Sequence, residues 1–131
     1  MPAACRAWGR PLRVFLVDDN VDAVVALQML LELEGHVVGV AHDGLAALAA
    51  ADGFAADAFI IDIGLPGMDG CELVAALRRN PASARALMIA ISGWGGPHDI
   101  QRALAAGFDR HLRKPAAFAA VLDALRQPHA R

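Results

Sequence analysis

Ala58-Phe59-Ile60-Ile61-Asp62-Ile63-Gly64-Leu65-Pro66-Gly67-Met68-Asp69-Gly70 is the stretch on which the fold turns. The apolar run Ala58 to Ile61 ends abruptly in the carboxylate of Asp62. Glycine and proline then build a turn, and Asp69 follows as a helix N-cap. A short apolar run bounded by turn residues predicts a buried strand. Open α/β sheets place their chemistry at the carboxyl ends of such strands, in a crevice. Asp62 is therefore the first candidate functional group.

Toward the amino terminus, Arg13 to Val17 reads as another buried strand and ends in Asp18-Asp19. Asn20 caps a helix in which Val21, Val24, Leu27 and Leu31 recur at helical spacing, and Gly35 stops it. Val37 to Ala41 is the next strand, and Asp43 caps an alanine-rich helix ending near Gly53. Toward the carboxyl terminus, Asp69 caps a helix to about Arg79, which Asn80-Pro81 ends. Leu87 to Ile91 is a strand ending in Ser92-Gly93. Gly96-Pro97 opens a helix that Gly107 closes. Arg110 to Arg113 is a short strand ending in Lys114-Pro115, and Ala116 to about Arg126 is the last helix. Five such alternations predict a parallel sheet with helices on both faces. The spacing does not fix the strand order; the doubly-wound order 2-1-3-4-5 is the natural choice for five units.

The 131 residues, 56% of them hydrophobic, suffice for one domain with a sizeable core. Residues 12–127 are expected to form it, with tails at 1–11 and 128–131. The net charge is −2 with no basic stripe, which argues against direct nucleic-acid binding. Cys5 and Cys71 form no CxxC, and the five histidines show no ligand spacing, so neither a disulfide framework nor a zinc site is expected. The most apolar region, Val21 to Ala41, carries Asp22, Glu32, Glu34 and His36, so it is no membrane span. Val14 to Val17 is too short for a signal-peptide core, and a cytoplasmic location is the default expectation.

In a parallel sheet, all carboxyl ends share one edge. Asp18, Asp19, Asp62, Ser92 and Lys114 therefore converge. Three carboxylates at close quarters repel, and one is pushed toward protonation unless a cation relieves them. Mg²⁺, or Mn²⁺ in its place, suits this set, with Asp18, Asp19, Asp62 and the Gly64 carbonyl as ligands. Lys114 can pair with Asp62 and later with a phosphoryl oxygen. Phosphoryl transfer needs mainly positioning and charge neutralisation, and an aspartate can be its nucleophile.

These residues make the chain resemble a response-regulator receiver domain of two-component signalling, from about Leu12 to Arg126. The matching motifs are Asp18-Asp19, Asp62-x-x-Leu65-Pro66-x-x-Asp69-Gly70, Ser92-Gly93 and Lys114-Pro115. The resemblance implies the flavodoxin-like five-unit fold. It implies a phosphoryl group taken onto Asp62 from a sensor histidine kinase or histidine phosphotransfer protein, a signalling event rather than turnover by an enzyme. Asp19 is then a direct Mg²⁺ ligand and Asp18 a ligand or its anchor. Ser92, Lys114 and the backbone amides of Gly93 and Gly64 hold phosphoryl oxygens, and Lys114-Pro115 is a cis peptide bond. Ser92 and an aromatic residue of the fifth strand form the switch, acting on the face of the fourth helix, fifth strand and fifth helix, through which receivers often form homodimers. The segment Ala106 to Pro115 is similar to receivers of hybrid histidine kinases.

The chain departs from the family pattern at three places. His111 stands where tyrosine or phenylalanine is commoner, adding a titratable ring. Gly64, two residues after Asp62, has no side chain to position water. Trp94, two after Ser92, is a candidate lid over an acyl phosphate. Plainer roles exist for each: Asp18-Asp19 as a helix N-terminal charge, Asp69 as a cap only, Trp94 as a surface contact, His111 as a buried spacer, Cys71 as packing. His36, His42, His98 and His129 read as surface residues. Two other functions compete. An aspartate-dependent phosphatase usually has a second aspartate where Gly64 stands. A phosphorylation-independent pseudo-receiver would not need Asp19, Asp62, Ser92 and Lys114 together.

Overall fold

Four apolar runs and one short polar strand form a parallel sheet: β1 (Arg13–Val17), β2 (Val37–Ala41), β3 (Ala58–Asp62), β4 (Leu87–Ser92) and the polar β5 (Arg110–Arg113). The computed structural model describes residues 11–93 and 97–126. The expected tails and Trp94 lie at or beyond the limits of that description, Trp94 wholly outside it. The strand order is β2-β1-β3-β4-β5, with every neighbouring pair parallel. This is the flavodoxin-like, doubly wound arrangement.

Between the strands run α1 (Val21–Leu33), α2 (Gly44–Phe54), α3 (Gly70–Arg79) and α4 (Pro97–Ala106), and α5 (Phe118–Arg126) follows β5. The predicted caps hold. Asn20, Asp43 and Asp69 accept from the amides of Ala23, Ala46 and Glu72, giving each helix start a partner for an orphan N–H. Gly35 (φ 95°) and Gly107 (φ 128°) are left-handed. Each sits in a Schellman turn: His36 donates to Leu31 O, and Phe108 to Ala103 O.

Alternation along the strands divides the core into two layers. Phe15, Val17, Phe59, Ile61, Met88 and Ala90 face α2, α3 and α4. Val14, Leu16, Ile60, Ile89 and Ile91 face α1 and α5. β3 is buried along its whole length, including Asp62. Each large apolar side chain so buried contributes on the order of 1.5–3 kcal/mol.

Some details differ from expectation. The second helix ends near Gly53 as expected, its last residue being Phe54, whose ring meets Phe15 edge-on at 5.3 Å and carries the Arg13 guanidinium at 4.4 Å. The left-handed position then falls on Ala55 (φ 55°). The last helix starts at Phe118 rather than Ala116, because Ala117 is the flanking residue whose carbonyl accepts from Ala120 and Val121. Val21 is half exposed at the start of α1, and Val24 and Leu31 carry that helix's buried face. His36 is no surface residue. As the residue after the left-handed glycine it turns inward, is 4% exposed, and accepts the Leu12 amide at Nδ1 over 3.0 Å.

Candidate functional site

The sheet brings Asp18, Asp19, Asp62, Ser92 and Lys114 to one edge, at the ends of β1, β3, β4 and β5. The β1 ladder runs one step past the strand, with the Asp18 amide donating to Ala41 O at 3.2 Å. Asp18 Oδ1 accepts from the Asn20 amide at 3.0 Å, fixing the bend into α1. Asp62 is the last residue of β3 and 7% exposed. Its Oδ1 accepts from the Gly64 amide at 3.0 Å. The turn after it folds back tightly. The Gly70 amide donates to Ile63 O, and a side chain at Gly70 would lie 2.7 Å from Asp62 O. Only glycine lets α3 start so close to the phosphoacceptor candidate.

Lys114 joins the carboxylates. Its Nζ lies 3.2 Å from Asp62 Oδ2 and 3.3 Å from Asp18 Oδ2. The Lys114 backbone amide donates to Ser92 O at 2.7 Å, tying the two strand ends together, and the Lys114–Pro115 bond is cis. Burial pushes the Asp62 carboxyl above its ordinary range. The Gly64 hydrogen bond counters this, the Asp18 charge adds to it, and Lys114 counters it. Burial acts to lower the Lys114 ammonium, but the Asp18 and Asp62 carboxylates outweigh it and hold it above the ordinary value.

Asp18, Asp19 and Asp62 each offer an oxygen, and the three oxygens lie within 4.8 Å of one another. An all-carboxylate set at this spacing, with one buried acid held ionisable against its surroundings, fits a small hard cation. From the same edge a cleft of about 580 Å³ runs between α1 and α5, with Asp18, Asp62 and Lys114 at its mouth and Leu27, Leu30 and Phe118 along its walls.

The switch candidates are in direct contact: Ser92 Oγ and His111 Nε2 are 2.9 Å apart. The Gly64 amide is engaged by Asp62 itself, and Gly93 is exposed beside Ser92. Asp69 caps α3 and also meets Arg102 of α4 at 3.1 Å. Cys71 is buried, and burial raises its thiol pKa, as expected of inert packing.

One neighbour escaped the sequence. His42 Nδ1 lies 3.1 Å from Asp18 O. Its only signal is the register Val17↔Ala41, which sets the two following residues side by side once β1 and β2 are paired.

Residues 14–126 match the family model of the response regulator receiver domain. The chain belongs to the response regulator receiver family. Receiver domains are modules of two-component signalling rather than turnover enzymes. The chain is 33% identical over 126 residues to the transcriptional regulatory protein TrcR of Mycobacterium tuberculosis, a match covering 96% of this chain and 48% of TrcR. It thus spans about half the length of such curated relatives. Its structure is similar to that of the chemotaxis protein CheY4 of Vibrio cholerae, with TM-score 0.84 and 29% identity over 88% of this chain and 96% of that one. It is also similar to the receiver domain of the sensor histidine kinase PA1611 of Pseudomonas aeruginosa PAO1 (TM-score 0.80, 27% identity, 88% and 94% covered), which has a magnesium ion coordinated in its active-site cleft. Among the described residues of this receiver, no helix is long and apolar enough to cross a membrane.

Proposed function

We propose that this receiver takes a phosphoryl group onto Asp62 from a phosphohistidine of a sensor kinase or histidine phosphotransfer protein. The observation that carries this is the Lys114 ammonium shared between Asp62 and Asp18 at 3.2 and 3.3 Å, with Asp19 completing the acidic set. Asp18, Asp19, Asp62 and the Gly64 carbonyl are the residues that would hold Mg²⁺ or Mn²⁺. That ion supplies charge neutralisation for the transferred group.

A carboxylate oxygen of Asp62 attacks phosphorus, and the bond from phosphorus to the donor nitrogen breaks. Charge spreads over the three equatorial oxygens. Lys114 follows one oxygen as it leaves its pairing with the carboxylate. The Ser92 hydroxyl and the Gly93 amide take the others. The raised Asp62 carboxyl must be ionised to attack, so acceptance of phosphoryl weakens as the pH falls toward its pKa. Ser92 and His111 then carry the change to the face of α4, β5 and α5, which is also the proposed surface for pairing with a second copy. Trp94, outside the described residues, is proposed to shield the acyl phosphate, and Gly64 leaves water there unpositioned by a side chain.

Incubation with acetyl phosphate and Mg²⁺ tests this by intact mass. One phosphoryl group is expected on the wild-type chain and none on Asp62→Asn. A wild type that gains nothing contradicts the proposal.

A further inference from the structure

The contact between Ser92 and His111 follows from strand register. Ala90 pairs with His111 and Ser92 with Arg113, so Ser92 is the diagonal neighbour of His111 on one sheet face. That face is the one where Ala90 packs with Ala103 of α4. Opposite His111 stands only the methyl group of Ala90, which leaves the imidazole room to lean along the sheet. The result is a 2.9 Å contact from Nε2 to a serine that is 2% exposed.

A serine hydroxyl has one proton to donate and two lone pairs to accept with. When the hydroxyl donates to a phosphoryl oxygen on Asp62, it has no proton left for His111. Nε2 must then carry the proton and Ser92 Oγ must accept it. We propose that His111 is a positioning residue whose Nε2–H donates to Ser92 Oγ in the phosphorylated state and so keeps the hydroxyl proton aimed at the phosphoryl group. This rests on Asp62 being the phosphoacceptor. A neutral ring suffices. A ring that starts with its proton on Nδ1 loses it to water and gains one at Nε2, with no net uptake, because His111 is only half-buried. Phosphorylation is then registered beneath α4 as one fixed tautomer, through a chain of two hydrogen bonds. A phenylalanine at this position offers no atom for that chain.

Beryllium trifluoride with Mg²⁺, a phosphoryl mimic, is the probe. In ¹⁵N-labelled protein loaded with it, the His111 ring should show a protonated Nε2 and a bare Nδ1. His111→Phe should weaken loading about fivefold, the scale of one net hydrogen bond. His111→Gln, whose amide N–H can replace Nε2–H, should return it to within about twofold. In a Ser92→Ala background, His111→Phe should change nothing further. A bare Nε2 in the loaded protein, wild-type loading of His111→Phe, or an equal loss without the serine would each overturn the proposal. Failure of the wild type to load at all would instead overturn the assignment of Asp62, which Asp62→Asn checks separately.

Discussion

Asp62 is held in the fold against its own preference. Burial foremost, then the Asp18 charge, raises its carboxyl, and the Gly64 amide and Lys114 only partly offset this. A folded pKa above the unfolded one means that the ionised group lowers stability at neutral pH and that stability recovers as the pH falls through the raised value. Neutralising the group should therefore help. In metal-free buffer at pH 7, Asp62→Asn is expected to show a higher urea midpoint than wild type, although it cannot accept phosphoryl. A lower midpoint would mean that the Lys114 pairing outweighs burial. His36 behaves oppositely in acid. Burial lowers its pKa, against the raising effect of Glu34, and Nδ1 must stay bare to accept the Leu12 amide. The unfolded chain takes up that proton near its ordinary pKa of about 6.5. The stabilisation is complete above that pH and is lost as the pH falls from it toward the lowered folded value. The slope is at most about 1.4 kcal/mol per pH unit. Denaturant midpoints from pH 7.5 to 5.5 should fall more steeply for wild type than for His36→Asn, which keeps an acceptor but cannot titrate. Equal slopes would contradict this. His36 was illegible in the sequence because a lone histidine after a helix-stopping glycine looks like surface until the turn aims it inward.

Element boundaries were legible where one residue type owns the position. Asn20, Asp43 and Asp69 as caps follow from their side-chain oxygens, and Gly35 and Gly107 as left-handed stops from their lack of a Cβ. The end of α2 was legible to within a residue, but its left-handed position was not: it falls on Ala55 rather than on Gly53, with Phe54 packed on Phe15 before it. Ala55 consequently holds φ 55°, at a cost of about 1–2 kcal/mol for a residue with a Cβ. Ala55→Gly is expected to raise stability by about 1 kcal/mol in urea titrations; no gain would show that the turn tolerates alanine without strain. Arg78 is the converse case. A basic residue in the last turn of a helix is ordinarily solvated. The fold instead sets it between α3, β4 and β5, donating to Ala84 O, Ala86 O and Gly107 O, and to Asp109 Oδ2 at 2.8 Å. Asp109 in turn accepts the Met88 amide at the start of the β4–β5 pairing. Removing the guanidinium takes the balancing cation from that partly buried carboxylate and leaves three backbone carbonyls without their donor. Arg78→Met should cost about 3 kcal/mol or more, read from the urea midpoint. A loss below about 1 kcal/mol would place the clamp among surface ion pairs.

Taken whole, the molecule is a parallel sheet whose order sends every chemical group to one edge. That edge was legible early, since Asp18, Asp19, Asp62 and Ser92 follow or end apolar runs and Lys114 follows the short polar strand β5. Strand order was a choice that spacing could not make. The contacts depending on it, Ser92 with His111 and His42 with Asp18, appeared only with the register. α4 packs on the Ala90 side of the sheet, and α5 lines the cleft that opens from the same edge as Asp62. The central claim remains the chemistry at Asp62, and borohydride trapping tests it most directly. Protein treated with acetyl phosphate and Mg²⁺ is reduced with sodium borohydride, which converts an aspartyl phosphate to homoserine, and the peptides are sequenced by mass spectrometry. Homoserine at position 62 and at no other aspartate is the predicted result. Homoserine at Asp18 or Asp19, or at no position, would contradict it.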